Sequence, residues 1–188
     1  MTMAKVQFKY FPQTKEELKS LIEQRIKDEG NEVDLNDIDV SAITDMSWLF
    51  EHTDFNGDIS NWDVSKVTNM CGMFKGCEFF NQDISNWNVS KVTDMCCMFT
   101  DCESFNQNLS NWDVSSVIDM RGIFFNCKSF NQDLSKWNVS KVTDMAYMFS
   151  WCKKFNKNLS DWDVSNVINA IDMFYECPIK EEYKPKLK

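Results

Sequence analysis

The sequence has only one histidine, three prolines and five glycines among its 188 residues. A single histidine, His52, excludes most nucleophile–histidine triads, and so few glycines exclude a phosphate-binding loop or a dinucleotide fingerprint. The chain also has no Cys-x-x-Cys pair, which argues against a zinc site. Since an active site needs a constellation of residues that does not repeat, we expect a protein that is not an enzyme and uses no metal and no cofactor.

Positive charge and long apolar runs are also scarce. Lysine and arginine total 20 against 29 aspartates and glutamates, a net charge of −9. Nucleic acids and anionic membranes select cationic surfaces, so we expect neither as a partner. No run approaches the roughly 18 apolar residues of a membrane span. The N-terminus lacks an apolar signal core and a lipid-attachment cysteine, so the sequence alone predicts a cytoplasmic protein.

What the sequence does contain is a repeat of 25 residues, such as the copy from Val89 to Asp113. A shorter copy begins at Val40, and a partial copy ends at Cys177. Tryptophan and cysteine each recur once per copy, and we predict that both form structural ladders through the stacked repeats. The ladders comprise Trp62, Trp87, Trp112, Trp137 and Trp162, and Cys77, Cys102, Cys127, Cys152 and Cys177.

Each copy has two halves with different patterns. The segment from Asn81 to Trp87 is short and polar around one apolar residue, which is typical of a strand. The segment from Thr143 to Cys152 spaces its apolar residues as one face of a helical turn does. We therefore predict an α/β repeat of about six rungs, with a parallel β-sheet on one wall and short α or 3-10 turns on the other.

The ends of the array need caps, because stacked repeats expose apolar faces there. We predict an N-terminal cap over residues 1–33, the repeats over 34–177 and a C-terminal cap or tail over 178–188. In the N-terminal cap, alternation of Val6, Phe8 and Tyr10 predicts a short strand. A capping box of Thr14 and Glu17 starts an amphipathic helix that Gly30 ends.

Three cysteines and two polar columns leave alternatives open. Cys71 and Cys96 occupy the same column and Cys97 lies next to them, so any cross-link or metal ligand is expected there. Aspartate and asparagine recur at every copy and either serve turns or bind hard cations. The polar columns comprise Asp58, Asp83, Asn108, Asp133 and Asn158, and Asp63, Asn88, Asp113, Asn138 and Asp163.

Positions that differ between copies are free to carry a function. Three such columns lie in the predicted helical turn, and in the C-terminal half they contain Phe125, Tyr147, Trp151 and Tyr175. Because tyrosine and tryptophan dominate the energetics of protein interfaces, we predict that these four residues form a patch for a protein partner. Alternatively, the rings cover gaps between turns or pack under the C-terminal tail.

The repeat phrase VTDMxxMFxxCxxFNQDISxWDVS resembles the repeat of about 25 residues found in bacterial surface proteins and lipoproteins, related to BspA-type leucine-rich repeats. The resemblance covers roughly Leu35 to Cys177. It implies a right-handed, leucine-rich-repeat-like solenoid, a surface-protein or adhesin role and no enzymatic activity. The positions that stand in phase are Met95, Met98, Phe99, Cys102, Phe105, Asn106 and Trp112.

Taken together, these patterns predict a non-enzymatic repeat scaffold that binds another macromolecule, as an adhesin-like or surface-protein-like interaction module. An intracellular protein-interaction scaffold is the first alternative, and a cation-stabilised structural protein is the second. The resemblance favours the cell surface, whereas the missing signal peptide favours the cytoplasm.

Overall fold

The structure is a computed structural model that describes residues 7–187. In this part of the chain, one α-helix, α1, spans Lys15–Glu29 and one 3-10 helix spans Glu181–Tyr183. Residues 7–187 contain no β-strand, and their parallel pairings are single bridges. The expected leucine-rich-repeat-like solenoid, with a parallel β-sheet on one wall and helical turns on the other, is therefore wrong. Most of the chain is turn and coil, stacked copy upon copy.

Helix α1 forms as its end signals predict. The Thr14 hydroxyl accepts a hydrogen bond from the Glu17 amide, and Gly30 ends the helix with a φ of 91°. Leu18 and Ile22 are buried against the first copies of the repeat. The helix therefore covers the N-terminal end of the core. Of the short strand predicted before it, Val6 lies outside the described residues and Tyr10 makes one bridge to Ile38.

The segments predicted to be helical turns instead form what we call the peptide wall. Within it, alternate amides donate to carbonyls of the next copy, as Phe74 N does to Met98 O at 2.9 Å. Other carbonyls accept within their own copy and close four-residue turns, as Met95 O does from Met98 N at 3.2 Å. A strand residue would direct its amide and carbonyl to the same neighbour, so this pattern is neither strand nor helix. The wall consists of residues 45–52, 69–76, 94–101, 119–126, 144–151 and 169–176.

Two left-handed residues per copy explain this backbone. Glycine suits such positions, and a side chain there adds about 1–2 kcal/mol of strain. Interruptions four residues apart leave no room for a regular helix or strand. The first column comprises Trp48, Gly72, Cys97, Gly122, Tyr147 and Asp172, and the second comprises His52, Gly76, Asp101, Asn126, Trp151 and Glu176, all with φ between 50° and 76°.

The segments predicted to be strands also form turns. Neighbouring copies are joined there by side chains, because the Asn81 amide donates to Asn56 Oδ1 at 2.9 Å and the Gln82 side-chain amide donates to Asn56 O at 2.8 Å. The same pair of contacts recurs one copy later at Asn106 and Gln107. A side-chain amide thus replaces the backbone partner that a strand would supply.

Stacked aromatic rings fill the core. Phe74, Phe99 and Phe124 stack at 5.7 and 5.8 Å between ring centroids, and the ring of Phe105 lies 4.2 Å from that of Phe99 within one copy. Each of these rings is fully buried. The repeat period thus brings like residues into contact across copies, as identical stacked units require.

The bridged position of each copy is an aspartate or asparagine, so Asp94, Asp119 and Asp144 follow one another along the wall. Each carboxylate accepts from the amide two residues later, as Asp119 Oδ1 does from Arg121 N at 2.8 Å. Burial raises the pKa of Asp119, and the charges of Asp94 and Asp144 raise it further. Ionised Asp119 is therefore less favourable in the folded chain than in the unfolded chain.

We expect Asp119→Asn to stabilise the protein at neutral pH. A raised folded-state pKa means that stability is lost as the pH rises through that pKa, and asparagine, which Asn69 shows is accommodated in this column, avoids the loss. The gain should shrink as the pH falls toward 3.8, the ordinary pKa of an aspartate. Urea midpoints at several pH values measure it. Asp83→Asn is the control and should lower the urea midpoint at neutral pH, because hydrogen bonds from Ser85 lower the pKa of Asp83. Equal shifts of the urea midpoint in both variants would contradict the role given to Asp119.

Candidate functional site

The four aromatic residues predicted to bind a partner lie on the outside of the peptide wall as two edge-to-face pairs. The rings of Phe125 and Tyr147 are 6.5 Å apart at 81°, and those of Trp151 and Tyr175 are 5.8 Å apart at 67°. We call these four residues the aromatic ridge. Tyr147 and Trp151 belong to one copy, and their partners come from the copies on either side.

Much of the ridge remains accessible. Tyr147 is 38% exposed, Trp151 39% and Tyr175 52%, whereas Phe125 is half-buried. The C-terminal tail places Lys184 over the ring of Phe174, which is not a ridge residue. The exposed area at Tyr147, Trp151 and Tyr175 is available to a partner.

Tyr147 and Trp151 both occupy left-handed positions, with φ of 59° and 63°. The equivalent residues one copy earlier are Gly122 and Asn126, which tolerate this conformation well. A bulky residue with positive φ is a genuine outlier. The copy that contains Tyr147 thus places aromatic rings at both of its strained positions.

An ion pair borders the ridge. Lys153 Nζ lies 4.2 Å from the centre of the Trp151 ring and 2.9 Å from Glu176 Oε2. Beside it, a surface cavity of about 410 Å³ is lined by Lys153, Glu176, Cys177 and Pro178. The pair fixes the ends of two flexible side chains next to the aromatic rings and adds polar groups to the margin of the surface.

All of the predicted ladder residues except Cys177 lie in the core, and Cys177 is half-buried. The five ladder tryptophans are at most 5% exposed, and their indole N–H groups donate to carbonyls of the preceding copy, as Trp112 does to Ile84 O at 3.1 Å. The thiols of Cys77, Cys102, Cys127 and Cys152 are buried and donate to phenylalanine carbonyls. Burial raises the pKa of Cys77 to about 11. These thiols are therefore uncharged packing groups.

Cys71 and Cys96 form a disulfide, whereas Cys97 is free and half-buried. The sequence placed any cross-link among these three cysteines, and the structure pairs the two that share a column. Asp94 lies with them, and its carboxylate oxygen and the two sulfur atoms are within 4.8 Å of one another. Because the sulfur atoms are joined, neither is a thiolate that could ligate a metal.

The acidic and asparagine columns serve turns. Asp58, Asp83, Asn108, Asp133 and Asn158 each accept a hydrogen bond from the amide two residues later, at 2.8–3.0 Å. The second column does the same at 3.1–3.2 Å. These contacts confirm the turn interpretation of both columns.

The variable columns could have indicated the left-handed backbone. Glycine, asparagine and aspartate make up six of the twelve residues in the two columns that contain Tyr147 and Trp151, and these are the residues that favour positive φ. The variation between copies in these columns predicted a partner site but not a left-handed backbone. The direction in which the wall amides point could not be predicted from residue types, because it depends on backbone geometry alone.

Comparison with known proteins gives one family. The family described as "Mycoplasma protein of unknown function, DUF285" matches residues 17–121 and 107–180. It is a repeat-containing family and not the BspA-type leucine-rich-repeat family that the repeat phrase resembles. No curated protein and no solved structure matches the chain. Within residues 7–187, every helix falls short of the length and apolar character that a membrane crossing requires.

Proposed function

The chain belongs to the DUF285 family of Mycoplasma proteins of unknown function, and we propose that it is a non-enzymatic repeat protein that binds another protein through the aromatic ridge. The observation that carries this proposal is the pair of exposed aromatic residues, Tyr147 and Trp151, at two left-handed positions of one copy. Strained residues that the fold itself does not require point to a function.

Other copies show how the strain at these two positions can be relieved. Glycine at either position would relieve about 1 kcal/mol or more of backbone strain, and other copies have glycine there. Trp48 is also left-handed, but its ring lies directly over Gly72 and packs there. Tyr147 and Trp151 instead keep more than a third of their surface in solvent. Retention of costly exposed rings supports a binding role.

The composition of the ridge indicates the kind of contact. Tyrosine and tryptophan give large rigid surfaces and dominate binding energies at protein interfaces. The Lys153–Glu176 ion pair supplies a polar margin. Because the chain has a net charge of −9, a partner with positive charge near the contact would associate faster.

An adhesin-like role at the cell surface is the finer form of this proposal, and an intracellular interaction scaffold is its alternative. Protease treatment of intact source cells separates them. Loss of the protein from intact cells is expected for a surface protein, whereas full protection with recovery in the soluble fraction would support the intracellular alternative.

The binding role is tested with the double variant Tyr147→Gly, Trp151→Gly. Partners cross-linked to the wild-type protein in source cells are identified and purified, and their affinities are measured by titration. We expect the double variant to bind at least about tenfold more weakly. Its melting temperature should equal or exceed that of the wild type, because glycine relieves the left-handed strain.

The matched control is Cys97→Gly, Asp101→Gly, which changes the equivalent positions two copies earlier. This variant should bind like the wild type and should be equally relieved of strain. Normal binding by the Tyr147 and Trp151 double variant would refute the proposal. A large fall in its melting temperature would show that the two rings are structural.

A further inference from the structure

The peptide units of the wall point the same way along the stack. In four columns, each amide donates to a carbonyl of the following copy. One of them runs from Phe50 N to Met73 O, from Phe74 N to Met98 O and onward. A fifth column at the margin runs in the opposite direction and ends with Ile168 N donating to Thr143 O. The C-terminal edge of the wall therefore presents amides.

Four of these amides have no acceptor among residues 7–187. In the preceding copy, the equivalent amides of Met145, Tyr147, Phe149 and Trp151 all donate forward at 2.8–2.9 Å. The last copy lacks a following copy of the wall within the described residues. The four amides, which we call the donor edge, belong to Ala170, Asp172, Phe174 and Glu176.

The C-terminal tail caps a different part of this end. Lys180 N donates to Asn156 Oδ1 at 3.1 Å, and Leu159 N donates to Tyr183 O at 2.8 Å, so the tail continues the stacking on the aromatic core. The wall beside it stays open. Ile168 is 87% exposed and Ile171 56% exposed there. Unpaired amides and exposed isoleucines thus share one edge.

The opposite end differs. Helix α1 lies there with Leu18 and Ile22 buried, and Lys19 Nζ donates to Trp48 O at 3.4 Å while Lys15 Nζ donates to Ser47 Oγ at 2.6 Å. A second copy of the chain that stacked head to tail would meet α1 first. The wall carbonyls of residues 45, 47, 49 and 51 accept no amide among residues 7–187, but α1 lies between them and a stacked molecule.

We infer that the donor edge binds a segment of a partner polypeptide that adopts the wall conformation and so presents backbone carbonyl oxygens at every second residue. Donors at residues 170, 172, 174 and 176 match that spacing, and neighbouring copies within the wall already pair in this way. The carboxylates of Asp172 and Glu176 on the same residues disfavour an anionic ligand. The exposed isoleucines supply the apolar contact. This inference does not depend on the aromatic ridge.

The test uses the full chain labelled with ¹⁵N and a synthetic peptide. The peptide is the chain's own segment 69–77, acetylated and amidated, with Cys71→Ser and Cys77→Ser. Its glycines at the two left-handed positions allow the wall conformation without strain. At millimolar peptide, the four donor-edge amides should shift and exchange with solvent at least about tenfold more slowly.

The variant Ile168→Asp, Ile171→Asp should weaken peptide binding by at least about tenfold. Ile118→Asp is the matched control, because Ile118 occupies the same column as Ile168 two copies earlier and is 48% exposed. It should bind the peptide like the wild type. Unchanged donor-edge amides, or full binding by the double variant, would overturn the inference. So would an equal response to inorganic phosphate, or self-association of the chain that the double variant abolishes.

Discussion

Phe99→Ala is expected to destabilise the fold by about 3–5 kcal/mol. The ring is fully buried and stacks on Phe105 within its own copy, on Phe74 in the preceding copy and on Phe124 in the following copy. Alanine leaves a cavity that three rigid rings cannot fill, since each is held by its own neighbours. Urea unfolding measures the loss of free energy.

The control for this prediction is Phe79→Ala. Phe79 lies next to the buried Phe80 but is itself 57% exposed. Its removal should change the free energy of unfolding by no more than about 0.5 kcal/mol. Comparable losses in the two variants would mean that the stacked phenylalanines do not hold the copies together.

Gly72→Ala is expected to cost about 3 kcal/mol or more, because it adds a clash to backbone strain. Gly72 has a φ of 60°, and a Cβ atom there would lie 2.1 Å from the Trp48 ring. Gly122 occupies the same column with a φ of 59°, but its nearest contact would be 3.5 Å away. Gly122→Ala should therefore cost only the conformational strain, about 1–2 kcal/mol. Thermal and urea unfolding of both variants give the comparison.

A second substitution tests the steric part of this prediction. Trp48→Ala removes the ring that covers Gly72, so the double variant Trp48→Ala, Gly72→Ala should lose less stability than the two single changes summed. Gly122→Ala with Trp48→Ala provides the additive control. Strict additivity at Gly72 would show that the ring moves aside at no cost.

The 25-residue period of the sequence correctly predicted which residues stack on one another. It did not predict the backbone conformation within each copy. Identical residues 25 positions apart can form ladders in several backbones, so Trp62 and Trp87 were placed together correctly while the wall was not. The spacing of Met95, Met98, Phe99 and Cys102 fits one face of a helix. The same spacing also fits turns that restart every four residues. Short-range apolar periodicity does not distinguish these two backbones.

The helix signals at the N-terminus succeeded for a physical reason. Thr14 and Gly30 act through local hydrogen bonds and local backbone freedom, which a sequence shows directly. The candidate site was found only in part. Variation between copies identified Tyr147 and Trp151, but their left-handed backbone and the donor edge arise from contacts between copies.

The disulfide between Cys71 and Cys96 has a kinetic consequence. It joins two neighbouring copies near the end that α1 already covers, while the far end has an open edge. In a linear array, each copy is held only by its neighbours, so opening spreads from the least protected end. We therefore expect the protein to open from its C-terminal copies inward. A protease that attacks the array would shorten it stepwise from that side and leave the cross-linked N-terminal copies until last.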